Sequence, residues 1–214
     1  MTSLEADLAT ARSLDVEELA DAIEDIGFEC TRCGECCTAH DGEEHIATVT
    51  PEEVRALQSS DRDWRDVAQP VPFGLAEDGS GETFEWALQT DTCGDCRFYA
   101  EGDQHGTCTV YENRPLICQT YPFSVDLAGS TKPAADVVEG EGGGPAPECE
   151  GLGRAMSRGD ARQLAQTLKR RTIRDLEEAI AVRDRYEPVD LTPGETVVHD
   201  AEGAKRVDGR PFDP

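Results

Sequence analysis

Cysteine is the residue with which this chain can do most chemistry. Nine of its 214 residues are cysteine, and four stand together as Cys30-x-x-Cys33-x-x-Cys36-Cys37. Soft thiolate sulfur selects zinc, iron–sulfur clusters or Cu(I) over magnesium and calcium. A Cys-x-x-Cys step lets one tight turn aim two sulfurs at one ion. Three cysteines at spacing three also suit successive corners of an iron–sulfur cluster. Gly34 supplies the positive φ that such a turn needs. Adjacent Cys36 and Cys37 start in different directions, which favours their serving two centres. Cys93, Cys96, Cys108, Cys118 and Cys149 follow at wide intervals. Any one of these alone also fits a small buried apolar residue; four within residues 30–37 do not. Eight cysteines make two four-ligand sites, with one left over.

Other candidates are weaker. His40, His45 and His105 are loop histidines, of which His105, just ahead of Gly106-x-Cys108, could replace a thiol. Arg114 has two readings, a donor to thiolate sulfurs or a structural partner of a nearby acid. The chain has no Ser/His/Asp ordering, Walker loop or dinucleotide fingerprint, so no catalytic constellation emerges.

Composition bounds the setting. Leu, Ile, Val and Phe total 40 of 214 residues and the formal net charge is -25, values at which a chain is ordinarily read as disordered. Only three of the 20 basic residues are lysine: Lys132, Lys169 and Lys205. An acid-rich, Lys-poor, Leu/Ile-poor composition fits proteins that work in molar salt, where the Debye length is only ~3 Å and surface charges repel weakly. An acidic surface for a basic partner is the competing account, and the scatter of the acids favours salt. No apolar run is long enough to span a membrane, and residues 1–27 lack the basic start and apolar stretch of a secretory signal. The reading is therefore cytoplasmic, where thiols stay reduced. The odd cysteine count also speaks against a purely disulfide framework.

These cysteines must be positioned by short elements. Leu4, Leu8 and Ala11 suggest a first helix. Asp15 and Glu18 form a capping-box pattern, Val16, Leu19, Ala20, Ile23 and Ile26 recur at helical spacing, and Gly27 stops that helix. Thr50-Pro51-Glu52-Glu53 opens another, to about Leu57. Asp61 to Val67 fits a helical turn or two. Residues 83–89, 107–111 and 124–127 read as strands. Pro115 starts a short helix carrying Cys118, which Pro122 ends. Residues 139–147 form a Gly-rich connector. Ser157 caps a long helix to about Tyr186, striped by Leu164, Leu168, Ile173, Leu176 and Ile180. That helix is basic in an acidic chain. Its basic side either packs on the acidic body or docks an acidic partner or nucleic acid, and with no aromatic or Gly-rich signature nucleic acid is disfavoured. The tail from Pro188 should be loosely held, with a small hairpin between residues 196–199 and 205–207.

One ordered set of motifs resembles a known family. Phe28-x-Cys30-x-x-Cys33-Gly34-x-Cys36-Cys37, the Thr50-Pro51-Glu52-Glu53 helix start, Cys96-x-Phe98, Gly106-x-Cys108-x-Val110-Tyr111-Glu112-x-Arg114-Pro115-x-x-Cys118-x-x-Tyr121-Pro122-Phe123 and Cys149-x-Gly151-x-Gly153 resemble the CxxCxxCC cysteine-cluster proteins, also called the YkgJ family, over about residues 28–153. A related cysteine pattern occurs in flagellin lysine N-methylases. The resemblance implies binding of zinc or an iron–sulfur cluster, in a family whose members are often labelled Fe–S oxidoreductases. It implies Cys30, Cys33, Cys36, Cys37, Cys96, Cys108, Cys118 and Cys149 as metal ligands, with Cys93 an extra. Tyr121 stands where the family usually has Phe.

The expected fold is α+β, mainly α: a metal-organised cysteine-cluster domain at 28–153 with short strands, an N-terminal helical segment at 1–27, a long helix at 154–187 packing on the domain and a tail at 188–214. The expected function is metal binding with a redox or electron-transfer role. The alternatives are a zinc-stabilised structural or interaction module and a metal-handling protein without catalysis. The expected partners are the metal or cluster and a redox or protein partner.

Overall fold

In a computed structural model of the protein, the residues described are 3–39, 45–59, 61–102, 106–127, the backbone of 135–137, and 149–212. The fold is α+β, with six α-helices and ten short strands among these residues. No helix among them is long and apolar enough to cross a membrane. The expected connector at 139–147 lies outside the described residues. The chain divides into two compact units that interleave along its length: residues 1–37, 99–109 and 116–177, and residues 38–98, 110–115 and 178–214.

The first unit is built on helices. α1 (Leu4–Ser13) is capped by Ser3, and α2 (Val16–Ile26) by Asp15, whose carboxylate accepts from the amides of Glu17 and Glu18. These bonds satisfy amides that the first helical turn leaves unpaired. Leu19, Ala20 and Ile23 of α2 are buried against Ala161, Ala165 and Leu168 of the long C-terminal helix and against Phe123. Each fully buried large side chain of this set stabilises the unit by roughly 1.5–3 kcal/mol. The start of the long helix also meets the acids of α2. Arg158 pairs with Glu17, Asp21 and Glu24, and Lys169 donates to the Leu14 carbonyl at 2.6 Å.

The second unit is built on strands. β1 (Thr48–Val49), β2 (Ala68–Pro70) and β4 (Trp86–Leu88) form an antiparallel sheet in the order β1-β4-β2. β3 (Gly81–Thr83) lies parallel to β9 (Thr196–Asp200), which pairs in turn with β10 (Gly203–Arg206). The single strand expected over 83–89 is thus two, broken at Phe84–Glu85, because its halves pair in different sheets. α3 (Pro51–Leu57) carries the full reciprocal capping box between Thr50 and Glu53, and α4 (Trp64–Val67) carries another between Asp63 and Asp66.

The tail differs from its expectation. Val197 and Val198 are fully buried, and His199, Asp200 and Lys205 nearly so. The sequence shows few apolar residues there, but β9 is the central strand of its sheet and its polar residues are paired. Lys205 Nζ lies 2.8 Å from Asp200 Oδ2, and Trp86 Nε1 donates to that same oxygen at 2.9 Å. Burying such charges is tolerable only with partners of this kind.

Candidate metal centre

The first cysteine motif follows α2 directly. After Phe28 bridges to Leu152, the chain turns through two left-handed residues, Arg32 at φ 60° and Gly34 at φ 93°. A non-glycine residue there is strained, as is common where a site dictates the backbone. Gly34 is required on a second ground: a Cβ there would run into the Tyr99 ring, and one at Gly106 would meet the same ring. The Gly106 amide donates to the Arg32 carbonyl at 3.1 Å. Tyr99 is paired with Cys108 across β5 (Tyr99–Ala100) and β6 (Thr107–Cys108). Tyr99 therefore packs the Cys108 hairpin against the Cys30–Cys37 loop. Residues Glu35–Cys37 then form one 3₁₀ turn, with Cys36 Sγ and Cys37 Sγ 3.9 Å apart.

Cys149 arrives from far along the chain. The Glu29 amide donates to Gly151 O and the Gly153 amide to Gly27 O, both at 3.0 Å, lacing residues 149–153 beside the start of the motif. Its thiol is raised above the ordinary cysteine range by burial first; the Gly151 amide opposes this, and nearby Cys33, Cys36 and Cys30 push it further up. Cys149 is thus within electrostatic reach of the first motif. Cys118 lies half-buried on α5 (Leu116–Thr120), the short helix expected after Pro115. Just beyond it, Tyr121 is pushed up to about 12, by burial first and then by Cys36, Cys149, Cys33 and Glu35.

Of the eight expected ligands, Cys30, Cys33, Cys36, Cys37, Cys108, Cys118 and Cys149 fall in the first unit and Cys96 in the second. None of the nine cysteines is in a disulfide; Cys30, Cys36 and Cys93 are exposed and Cys96 is buried. Cys96 bridges Thr90 across a loop that the Asp91 carboxylate organises by accepting from the amides of Cys93 and Asp95. Among the described residues, no group of three or more His, Cys, Asp and Glu side chains is already gathered as a bound ion would gather them. The donor set nevertheless suits a soft cation. Thiolates at Cys30, Cys33, Cys36 and Cys149 would repel one another, and a thiophilic ion removes that repulsion.

The motif order is the mark of one family, and the model for it, CxxCxxCC, described as "Putative zinc- or iron-chelating domain", matches residues 29–150. The chain belongs to this family. No curated protein and no solved structure matches it. The CxxCxxCC family thereby supplies zinc or iron chelation.

The remaining candidates take other places. His40 and His105 lie outside the described residues. His45 is in the second unit, where its amide donates to Gly94 O at 2.8 Å. The Arg114 guanidinium lies over the Tyr111 ring, 3.7 Å from the centroid, and its Nε donates to the Tyr111 carbonyl. Tyr99 went unrecognised as the packing partner of the motif. Its only sequence signal was the pair of glycines, Gly34 and Gly106, that leave room for its ring.

Proposed function

We propose that the first unit houses a redox-active, thiolate-ligated metal centre of the iron–sulfur type, held by Cys30, Cys33, Cys36 and Cys149 and flanked by Cys37, Cys108 and Cys118. The observation that carries the reading is the backbone lacing of Glu29 to Gly151 and of Gly153 to Gly27, which sets the Cys149 segment beside the start of the first motif. Seven thiols in one unit exceed the four that a single structural zinc uses. Cys30 and Cys36 are exposed, which leaves sulfur at the surface where a redox protein partner could reach it. When bound, an iron–sulfur group would supply one-electron transfer; the chain's own part is to hold it, through thiolates on a strained loop and a laced second segment. Cys96, the eighth expected ligand, lies outside this unit, and the proposal does not depend on it.

The cysteines outside any disulfide suit a reducing compartment, and we assign the protein to the cytoplasm. Its acid-rich, Lys-poor composition supports a cytoplasm of high salt.

The test is anaerobic purification with analysis of metal and acid-labile sulfide. The expected result is iron with sulfide and a visible absorption band that bleaches on reduction. A colourless protein with zinc and no sulfide overturns the redox role and leaves a zinc-stabilised module. A chain that takes up neither metal overturns the metal centre itself.

A further inference from the structure

We propose that the paired rings of Phe84 and Tyr186, in the second unit, are a docking site for an arginine- or lysine-bearing segment of a protein partner. The proposal stands apart from the metal centre and does not depend on it.

Phe84 is 46% exposed and Tyr186 41%, high values for rings of this size. They are not scattered singly, since their centroids lie 5.5 Å apart. Pro70 pairs with Trp86, and Leu75 bridges Gly81 further out on the same hairpin. The register between these contacts is unbroken, so exposed Pro72 stands opposite Phe84 and extends the apolar surface. Glu82, two residues before Phe84, lies on the same face of the strand.

The rings are held from beneath. His199 is 2% exposed. Its imidazole stacks on Phe84 at 5.4 Å and meets Tyr186 edge-on at 4.9 Å. Glu82 Oε2, 2.7 Å from His199 Nε2, fixes that imidazole. The end of the long helix holds Tyr186 from the other side. Arg185 donates to the Ala201 carbonyl, and the Ala201 amide donates to Glu178 Oε1 at 3.0 Å. Rings fixed in advance lose little freedom on binding, which is how aromatic anchors gain affinity.

Charge selects the occupant. Between Arg65 and Arg97 the chain has no lysine or arginine, and its net charge is -25. Glu82 and Glu85 flank Phe84 in the sequence, and Glu187 follows Tyr186. A second copy of this chain, a nucleic acid or an anionic lipid would bring like charge to this surface. A guanidinium or ammonium instead finds ring faces that attract it, and its aliphatic stem covers their apolar area. Such ring contacts persist where salt screens the carboxylates.

The probe is a short peptide of alternating arginine and leucine, added to the full-length protein with its phenylalanine and tyrosine rings labelled for NMR. The ring resonances of Phe84 and Tyr186 should move with peptide, while that of buried Phe123 stays in place. The same peptide with glutamate for arginine should leave all three unmoved. Phe84→Leu keeps the apolar area and removes the ring face, so it should bind the arginine peptide about fivefold more weakly. Its unfolding, followed by tryptophan fluorescence, should match the parent. Parent affinity in Phe84→Leu, equal binding of the glutamate peptide, or no shift at the two rings each overturns the proposal. Shifts that grow with protein concentration alone also overturn it, because they mark a contact between copies. If Phe84→Leu does not fold, Tyr186→Leu takes its place with the same expected loss.

Discussion

In the first unit, aliphatic side chains of α1, α2 and the long helix pack together, while the cysteine-bearing segments run as a loop, single turns and two-residue strands. In the second unit, strands carry the load, and a buried Lys205–Asp200 pair sits under Trp64 and Trp86, whose rings meet at 5.1 Å. Both units face the same scarcity of large apolar residues. The second answers it with satisfied polar groups inside a sheet. The first has an apolar core beside its helices, and on the proposed reading its cysteine segments rely on the metal their sulfurs hold. Metal dependence should accordingly be local to one unit.

The largest test of that contrast is chelation. Structural metal sites can contribute on the order of 10 kcal/mol. Metal removal should open the cysteine segments to alkylation and proteolysis at residues 28–37 and 149–153. Both tryptophans, Trp64 and Trp86, lie in the second unit, so intrinsic fluorescence should stay native. A fluorescence change that tracks metal loss would break the contrast.

Next in size is Asp200→Ala. It leaves Lys205 buried without its partner and removes the acceptor of Trp86 Nε1. Denaturation followed by tryptophan fluorescence should show a loss of about 3–5 kcal/mol, with metal content unchanged. Leu168→Ala cuts into the core of the first unit, where Leu168 is 1% exposed. It should cost on the order of 3 kcal/mol by helical circular dichroism and leave the tryptophan signal unmoved.

The smallest expected effect is a pH dependence in the second unit. Burial raises the Glu178 carboxyl, against the Ala201 amide that donates to it, while Asp200 and Glu202 also raise it and Lys205 lowers it. A carboxyl raised in the fold contributes stability that is full below its unfolded pKa and is lost as pH rises through its folded one. Glu178→Gln keeps an oxygen for the Ala201 amide and removes the charge. It should therefore match or exceed the parent at neutral pH, and the difference should close on acidification. A variant less stable than the parent at neutral pH would show that the Glu178 charge is favourable.

Much of the local structure was legible because it is written in nearest neighbours. The caps at Asp15, Thr50 and Ser157 and the stop at Gly27 each depend on residues within one helical turn, and each appears where the pattern placed it. Strands were legible only in part. Residues 107–111 yielded two strand residues and then a 3₁₀ turn, because alternation over a few residues does not say whether a partner strand exists. The tail misled for the opposite reason: Val197 and Val198 look too few to bury, yet β3 and β10 flank them on both sides.

Sequence alone determined the chemistry. Four thiols within residues 30–37, and the ordered motifs after them, name a soft-metal site and a family, because ligand type and short spacing are properties of the chain itself. Only the tertiary structure decided which distant residues join that motif. It brought Cys149 beside it through the Glu29–Gly151 and Gly153–Gly27 bonds, and packed Tyr99 into the space left by Gly34 and Gly106. Such meetings follow from how segments far apart in the chain pack, and no spacing rule records them.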